Sequence, residues 1–150
     1  MKNIISLTLI LTLAGSAFAQ GASFAYPQDG DTLVAGSSID IRIDRPTPSA
    51  PTTEAGIGLG MSPCSSESCP SPETSFEHLF YAGGFNPQRP SQVAAGEDFN
   101  AFQNFTVTVP SISGSAILGF LHSSFGEGAS GYFPFFESVN ITVNIISGSQ

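Results

Sequence analysis

Positive charge is what this sequence has least of. Lys2 is its only lysine, and Arg42, Arg45 and Arg89 complete a basic set of four against twelve acids, a formal net charge of −8. Such a surface repels nucleic acid and anionic lipid, so neither is expected as a partner. Tryptophan is absent, which removes the strongest flat platform for a sugar ring and leaves that role to tyrosine and phenylalanine. Histidine occurs twice. His78 and His122 both fall in expected strands, and with Glu77 or Glu127 they are the nearest approach to a metal or catalytic group. Their spacing matches no ligand motif, and a strand histidine is ordinarily a hydrogen-bonded structural residue. Cysteine also occurs twice, as Cys64 and Cys69. Zinc would need further ligands nearby, so a disulfide is expected, closing a loop so short that it restricts the unfolded chain by only about 2 kcal/mol.

Several motifs of catalysis are missing as well. Gly-x-Ser-x-Gly does not occur, which removes the nucleophile elbow of a Ser-His-Asp hydrolase. Gly126-Glu127-Gly128 is too short for a phosphate-binding fingerprint, and Asp29-Gly30-Asp31 reads as a turn before it reads as a calcium loop. Glycoside hydrolysis needs two carboxylates across a cleft, and Glu97, Asp98, Glu127 and Glu137 qualify only as acids in or beside loops. No catalytic set, metal site or cofactor is therefore assigned.

What is present begins with an address. Lys2, the apolar run from Ile4 to Leu13 and the small-x-small site Ala17-Phe18-Ala19 make residues 1–19 a secretory signal, too short to span a bilayer. Cleavage would leave residues 20–150 as one domain starting at Gln20, with three arginines against twelve acids and a charge of −9. No histidine stands near that new terminus to build a copper site.

Two stretches carry the fold signal. In Gln103 to Pro110, Phe105, Val107 and Val109 alternate with Asn104, Thr106 and Thr108, and near the C-terminus Val139, Ile141, Val143 and Ile145 alternate with Asn140, Thr142 and Asn144. This is the period of a strand with one dry and one wet face. Asn104-Phe105-Thr106 and Asn140-Ile141-Thr142 are also acceptors for N-linked sugar, placed on the wet faces. Further strands are expected at Phe24 to Tyr26, at Ser38 to Asp44 with Ile39, Ile41 and Ile43 inward, at Ala55 to Met61, at Phe76 to Tyr81 and at Ala116 to Leu121. Arg45 to Thr53, with three prolines, reads as a loop, as do the Pro63 to Pro72 disulfide segment and Ser123 to Gly131. Gly56, Gly58 and Gly60 leave one strand face bare, which neighbouring aromatics or a shallow groove would explain. About seven short strands and no helical period predict an all-β antiparallel Greek-key β-sandwich of immunoglobulin or fibronectin type.

The opening Phe-Ala-Tyr-Pro-Gln-Asp-Gly-Asp-Thr-Leu-Val-Ala-Gly-Ser-Ser-Ile-Asp-Ile, the Gln-Asn-Phe-Thr-Val-Thr-Val-Pro strand, Leu121-His122 and the closing Glu-Ser-Val-Asn-Ile-Thr-Val resemble small secreted proteins of mushroom-forming fungi. Phe24 to Ile43 is also similar, more distantly, to the immunoglobulin-like N-terminal domain of fungal cell-wall glucan-assembly and GPI-anchored proteins. The resemblance implies an extracellular or cell-wall setting and supplies no catalytic residues. Lipid anchoring is not expected, since Ile146 is followed only by Ser-Gly-Ser-Gln. The expectation is thus a secreted, glycosylated, non-catalytic module with a cell-wall polysaccharide or another extracellular protein as partner. Its contact residues would be Tyr132, Phe133 and Phe135, with Phe136 beside them, crowded in a loop around Pro134, and secondarily Tyr81 and Phe85. The rival classes are a small secreted enzyme acting on polysaccharide, which would bring His78 or His122 against a carboxylate in a concavity, and a host-directed effector.

Overall fold

A computed structural model describes residues 21–66, 68–91 and 100–148. The expected signal and the acids Glu97 and Asp98 lie outside the described residues. Eight strands follow one another: β1 (Ser23–Tyr26), β2 (Thr32–Val34), β3 (Ser38–Arg45), β4 (Thr52–Pro63), β5 (His78–Gly83), β6 (Ala101–Thr108), β7 (Gly114–Gly128) and β8 (Gly131–Ile146). They make a three-stranded sheet, β1-β3-β6, and a five-stranded sheet, β2-β8-β7-β4-β5.

The alternating stretches behave as their periods dictate. β3 and β6 pair with Ile41 opposite Phe105 and Ile39 opposite Val107, and Ile41, Ile43 and Phe105 are buried. Against them the second sheet sets Leu59 and Met61 of β4, Leu118 and Phe120 of β7, and Val143 and Ile145 of β8, all buried. Asn104 and Asn140 sit on the opposite, exposed faces of their strands. β7, the central strand, is buried on both faces from Ala116 to Phe120. Its outer face is covered at Gly119, where a Cβ would collide with the Pro72 ring, and at the neighbouring Gly60 one would meet the Phe76 ring at 2.5 Å. Of the three bare positions of β4, aromatic cover thus explains Gly60; at Gly56 a Cβ would meet the Gly83 carbonyl oxygen at 2.9 Å, and at Gly58 nothing lies within 4 Å. Cys64 and Cys69 are joined, S–S 1.98 Å, in the loop that carries Pro72 onto the sheet.

Three expectations are corrected. The sandwich is not wholly antiparallel: β2 runs parallel to β8, Thr32 opposite Asn144 through Val34 opposite Ile146. The turn before it causes this, because Gly30 N–H donates to Thr142 O at 2.7 Å and Asn144 N–H to Asp31 O at 2.8 Å, laying the next residues along β8. Three residues are too few to show a period, so this strand adds to the expected seven. Second, β3 continues through Arg45 and β4 starts at Thr52, which shortens the proline loop at both ends. Third, Ser123 to Gly131 is not a loop. β7 runs to Gly128 and β8 departs from Gly131, whose φ of 121° suits glycine, so Tyr132 to Phe136 lies in a ladder with Ser124 opposite Phe135 and Gly126 opposite Phe133. Pro134 is tolerated because β2 flanks β8 only at Asn144 to Ile146, leaving β8 an edge strand at the proline.

Candidate functional site

The β7–β8 hairpin outruns the sheet that faces it. Along β8 the odd-numbered residues from Val139 to Ile145 point into the sandwich, and the same parity brings Glu137, Phe135 and Phe133 onto that inner face. Because β3 has ended at Arg45, no strand among the described residues roofs the last two, and Phe133 and Phe135 are 43% and 53% exposed. Their rings meet edge-on at 5.0 Å. Gly126 lies beneath them, where a Cβ would come within 2.7 Å of Phe135 and 2.9 Å of Phe133. Glycine at 126 is thus the bed on which the rings rest. The even-numbered Tyr132 and Phe136 take the outer face with Leu121 and Phe125 of β7, and all four are exposed.

Between the inner-face rings and the Pro48 to Ala50 loop lies a cleft of about 400 Å³. Its floor is a buried charge network. Arg45, 7% exposed, donates from Nε to Glu54 Oε1 at 2.7 Å. The other Glu54 oxygen bonds His122 Nε2, and His122 Nδ1 bonds Glu137 Oε1 at 2.5 Å. That same Glu137 oxygen accepts the Ala22 N–H at 2.8 Å. His122 is 3% exposed and is flanked by the Phe85 ring, centroids 5.1 Å apart. Burial by itself would lower the imidazole pKa, but the hydrogen bonds to Glu137 and Glu54 outweigh it and raise it above the ordinary value. The carboxylates mirror this. Burial would raise both, yet the bond to His122, with Arg45 for Glu54 and the Ala22 N–H for Glu137, holds each below its usual range. Between the ordinary carboxylate and imidazole values, 4.5 and 6.5, two cations thus face two anions, and both imidazole nitrogens act as donors.

Of the residues singled out by sequence, Tyr132, Phe133 and Phe135 come together with Phe136 on one hairpin. Phe85 does not join them: at 4% exposure it is core, packed on His122, because it turns in under the sheet rather than out beside the glycines. Tyr81 is half-buried, its ring 4.9 Å from Phe105 and its hydroxyl donating to Gly84 O at 2.8 Å. His78 remains by Glu77, 3.8 Å away, far from the cleft network. His122 meets Glu54 and Glu137, while Glu127 stands exposed near the hairpin turn. The Asp29 to Asp31 turn is satisfied by the chain itself, Asp29 Oδ1 accepting Thr142 N–H and Asp31 Oδ2 accepting Gln28 N–H, both at 2.8 Å. Among the described residues no group of three His, Cys, Asp or Glu side chains converges as metal ligands.

Two members of the network escaped sequence reasoning. Arg45 continues the inward ladder of Ile39, Ile41 and Ile43 and was legible from that period alone. Glu54 was not: counting back from Met61, Leu59, Ile57 and Ala55 puts it outward, and a β-bulge between Glu54 and Gly56 turns it in. A scan of the sequence against protein-family models returns no match, and a search of curated proteins returns none either.

Proposed function

We propose that this is a secreted, N-glycosylated, non-catalytic module of immunoglobulin type that binds cell-wall polysaccharide through the β7–β8 hairpin. The observation that carries the reading is the pair Phe133 and Phe135, held edge-on over Gly126 on a strand face that the opposing sheet leaves uncovered. Exposed rings at the edge of a cleft offer apolar faces to the C–H surfaces of a sugar and desolvate them. The strand order supports the immunoglobulin assignment. The chain crosses between sheets at β2 to β3, β3 to β4, β5 to β6 and β6 to β7, and its first strand is split, β1 joining one sheet and β2 the other. The signal segment supports secretion, and the resemblance to secreted fungal proteins supports a glucan, chitin or mannan as ligand.

The rival reading, a small secreted hydrolase, has one observation in its favour: His122 does meet carboxylates beneath a concavity. The bonding argues against it. An imidazolium donating from both nitrogens has no lone pair with which to take a proton, and Glu54 is engaged through both oxygens, which leaves one carboxylate where glycoside hydrolysis needs two. Retention of the secreted protein on insoluble glucan, chitin and mannan, with sugar release followed in parallel, separates the readings. Phe135→Ala is expected to lose about 1 to 3 kcal/mol of binding while staying folded. Sugar release that disappears in Glu137→Gln would replace this reading with the hydrolase.

A further inference from the structure

Ser124 stands on the inner face of β7, one inward position beyond His122, and lines the cleft. It is 3% exposed, yet its hydroxyl has no hydrogen-bond partner among the described residues. Among the described residues the one sealed polar side-chain atom without a partner is His78 Nε2, so Ser124 Oγ is open to the cleft, where such groups ordinarily meet water or a ligand. Glu137 presents a second unused group on the same floor. Its Oε1 serves both His122 and Ala22, and its Oε2 has no partner among the described residues. Above these two polar groups stand Phe133 and Phe135, and across from them the Pro48 to Ala50 loop, exposed at Ser49 and Ala50, makes the far wall.

Resting on the polysaccharide-binding reading, we propose that this cleft takes the terminal unit of a neutral polysaccharide chain, with Ser124 Oγ and Glu137 Oε2 bonding its hydroxyls and the phenylalanine rings packing on its C–H face. The shape argues for an end rather than a stretch. At about 400 Å³ the cleft is at the small end of ligand sites, and the Arg45, Glu54, His122 and Glu137 network lies across its floor. Ser124, at 3% exposure, is too deep for a polymer laid across the mouth and suits an inserted end. Charge argues for a neutral sugar: the floor's two cations and two anions balance, and the acidic chain around it repels polyanions. A donor such as Ser124 beside an acceptor-only carboxylate suits a hydroxyl, which both donates and accepts.

The test uses the full secreted chain on the polymer that retains it, with short soluble oligosaccharides of the same glucan, chitin or mannan as competitors. Chain-end binding makes an oligosaccharide compete in proportion to its number of ends, so that it outcompetes an equal mass of soluble polymer. Ser124→Ala is expected to weaken this competition about 2- to 10-fold, the loss of one neutral hydrogen bond, with a Tm equal to or above that of the parent. Ala50→Ile, on the exposed loop, fills the mouth without touching the network and is expected to abolish competition. It keeps the proposal testable if Ser124→Ala folds poorly. Retention on polymer that oligosaccharides do not reverse, or a Ser124→Ala protein that binds as well as the parent because the hydroxyl holds only water, overturns chain-end recognition and leaves polymer binding by the rings standing. Failure of the parent protein to be retained by any of the three polymers overturns both.

Discussion

At the residue scale the most consequential side chain is His122, a cation sealed between two anions. Removing one partner from such a group leaves an uncompensated buried charge, which costs about 3 to 5 kcal/mol, so Glu54→Ala is expected to destabilise the domain far more than a surface substitution does. The network also sets a pH profile. The imidazole pKa is raised on folding, so its contribution is fully present below the ordinary value of 6.5 and is lost as pH climbs from there through the folded value. The two carboxylates have lowered values, so theirs is fully present above 4.5 and is lost as pH falls from there. Melting temperature measured across pH is therefore expected to peak between 4.5 and 6.5 and to fall on both sides. A Tm that rises steadily from pH 6 to pH 8 would mean that His122 is neutral and the network is not an ion array. His122→Phe is expected to remove the alkaline limb, which ties the profile to this residue rather than to His78.

At the scale of elements, alternation and punctuation were legible to different degrees. The wet and dry faces of β3, β6 and β8 follow from Ile41, Phe105 and Val143 recurring every second residue, and the bond between Cys64 and Cys69 was expected from a count of two with no further zinc ligands nearby. The hairpin was hidden by its own composition: Gly126 and Gly128 read as loop residues because their side-chain space is occupied by rings on the neighbouring strand, a contact the local sequence does not display. Glu54 was hidden by a bulge, and β2 by its length. The glycines that do obey a local rule make a paired prediction. Gly119→Ala would drive a methyl into Pro72 and is expected to lose about 1 to 3 kcal/mol, as overpacking does. Gly58→Ala meets nothing within 4 Å and is expected to change stability by no more than about 0.5 kcal/mol. Chemical denaturation of both variants checks this, and equal losses would show that strand glycine itself, rather than the Pro72 contact, is required. Replacing both cysteines with serine opens only a short loop and is expected to cost about 2 kcal/mol or less. A larger loss would mean that the bridge holds Pro72 on Gly119.

At the scale of the whole molecule, the two glycan acceptors and the cleft divide the surface among them. Asn104 lies on the outer face of the three-stranded sheet, Asn140 on the outer face of the five-stranded sheet, and both are exposed. Sugars there would shield the two broad faces of the sandwich, which otherwise offer the largest areas for contact, and would leave uncovered the end where β7 and β8 project. On the proposed reading, that geometry directs binding to the end. Asn140 is on the opposite face of β8 from Phe133 and Phe135, and four residues along the strand from Phe136, so a glycan on it would extend away from the inner cleft. If the proposed reading holds, two expectations follow: Asn104→Gln and Asn140→Gln each remove one glycan, seen as a stepwise fall in mass, and the doubly substituted chain keeps the polysaccharide retention of the parent. Phe135→Ala should lose that retention whether the glycans are present or not. If retention instead falls with the sugars while Phe135→Ala retains its binding, the contact surface is the glycosylated faces, and the projecting hairpin serves only to cap the charge network beneath it.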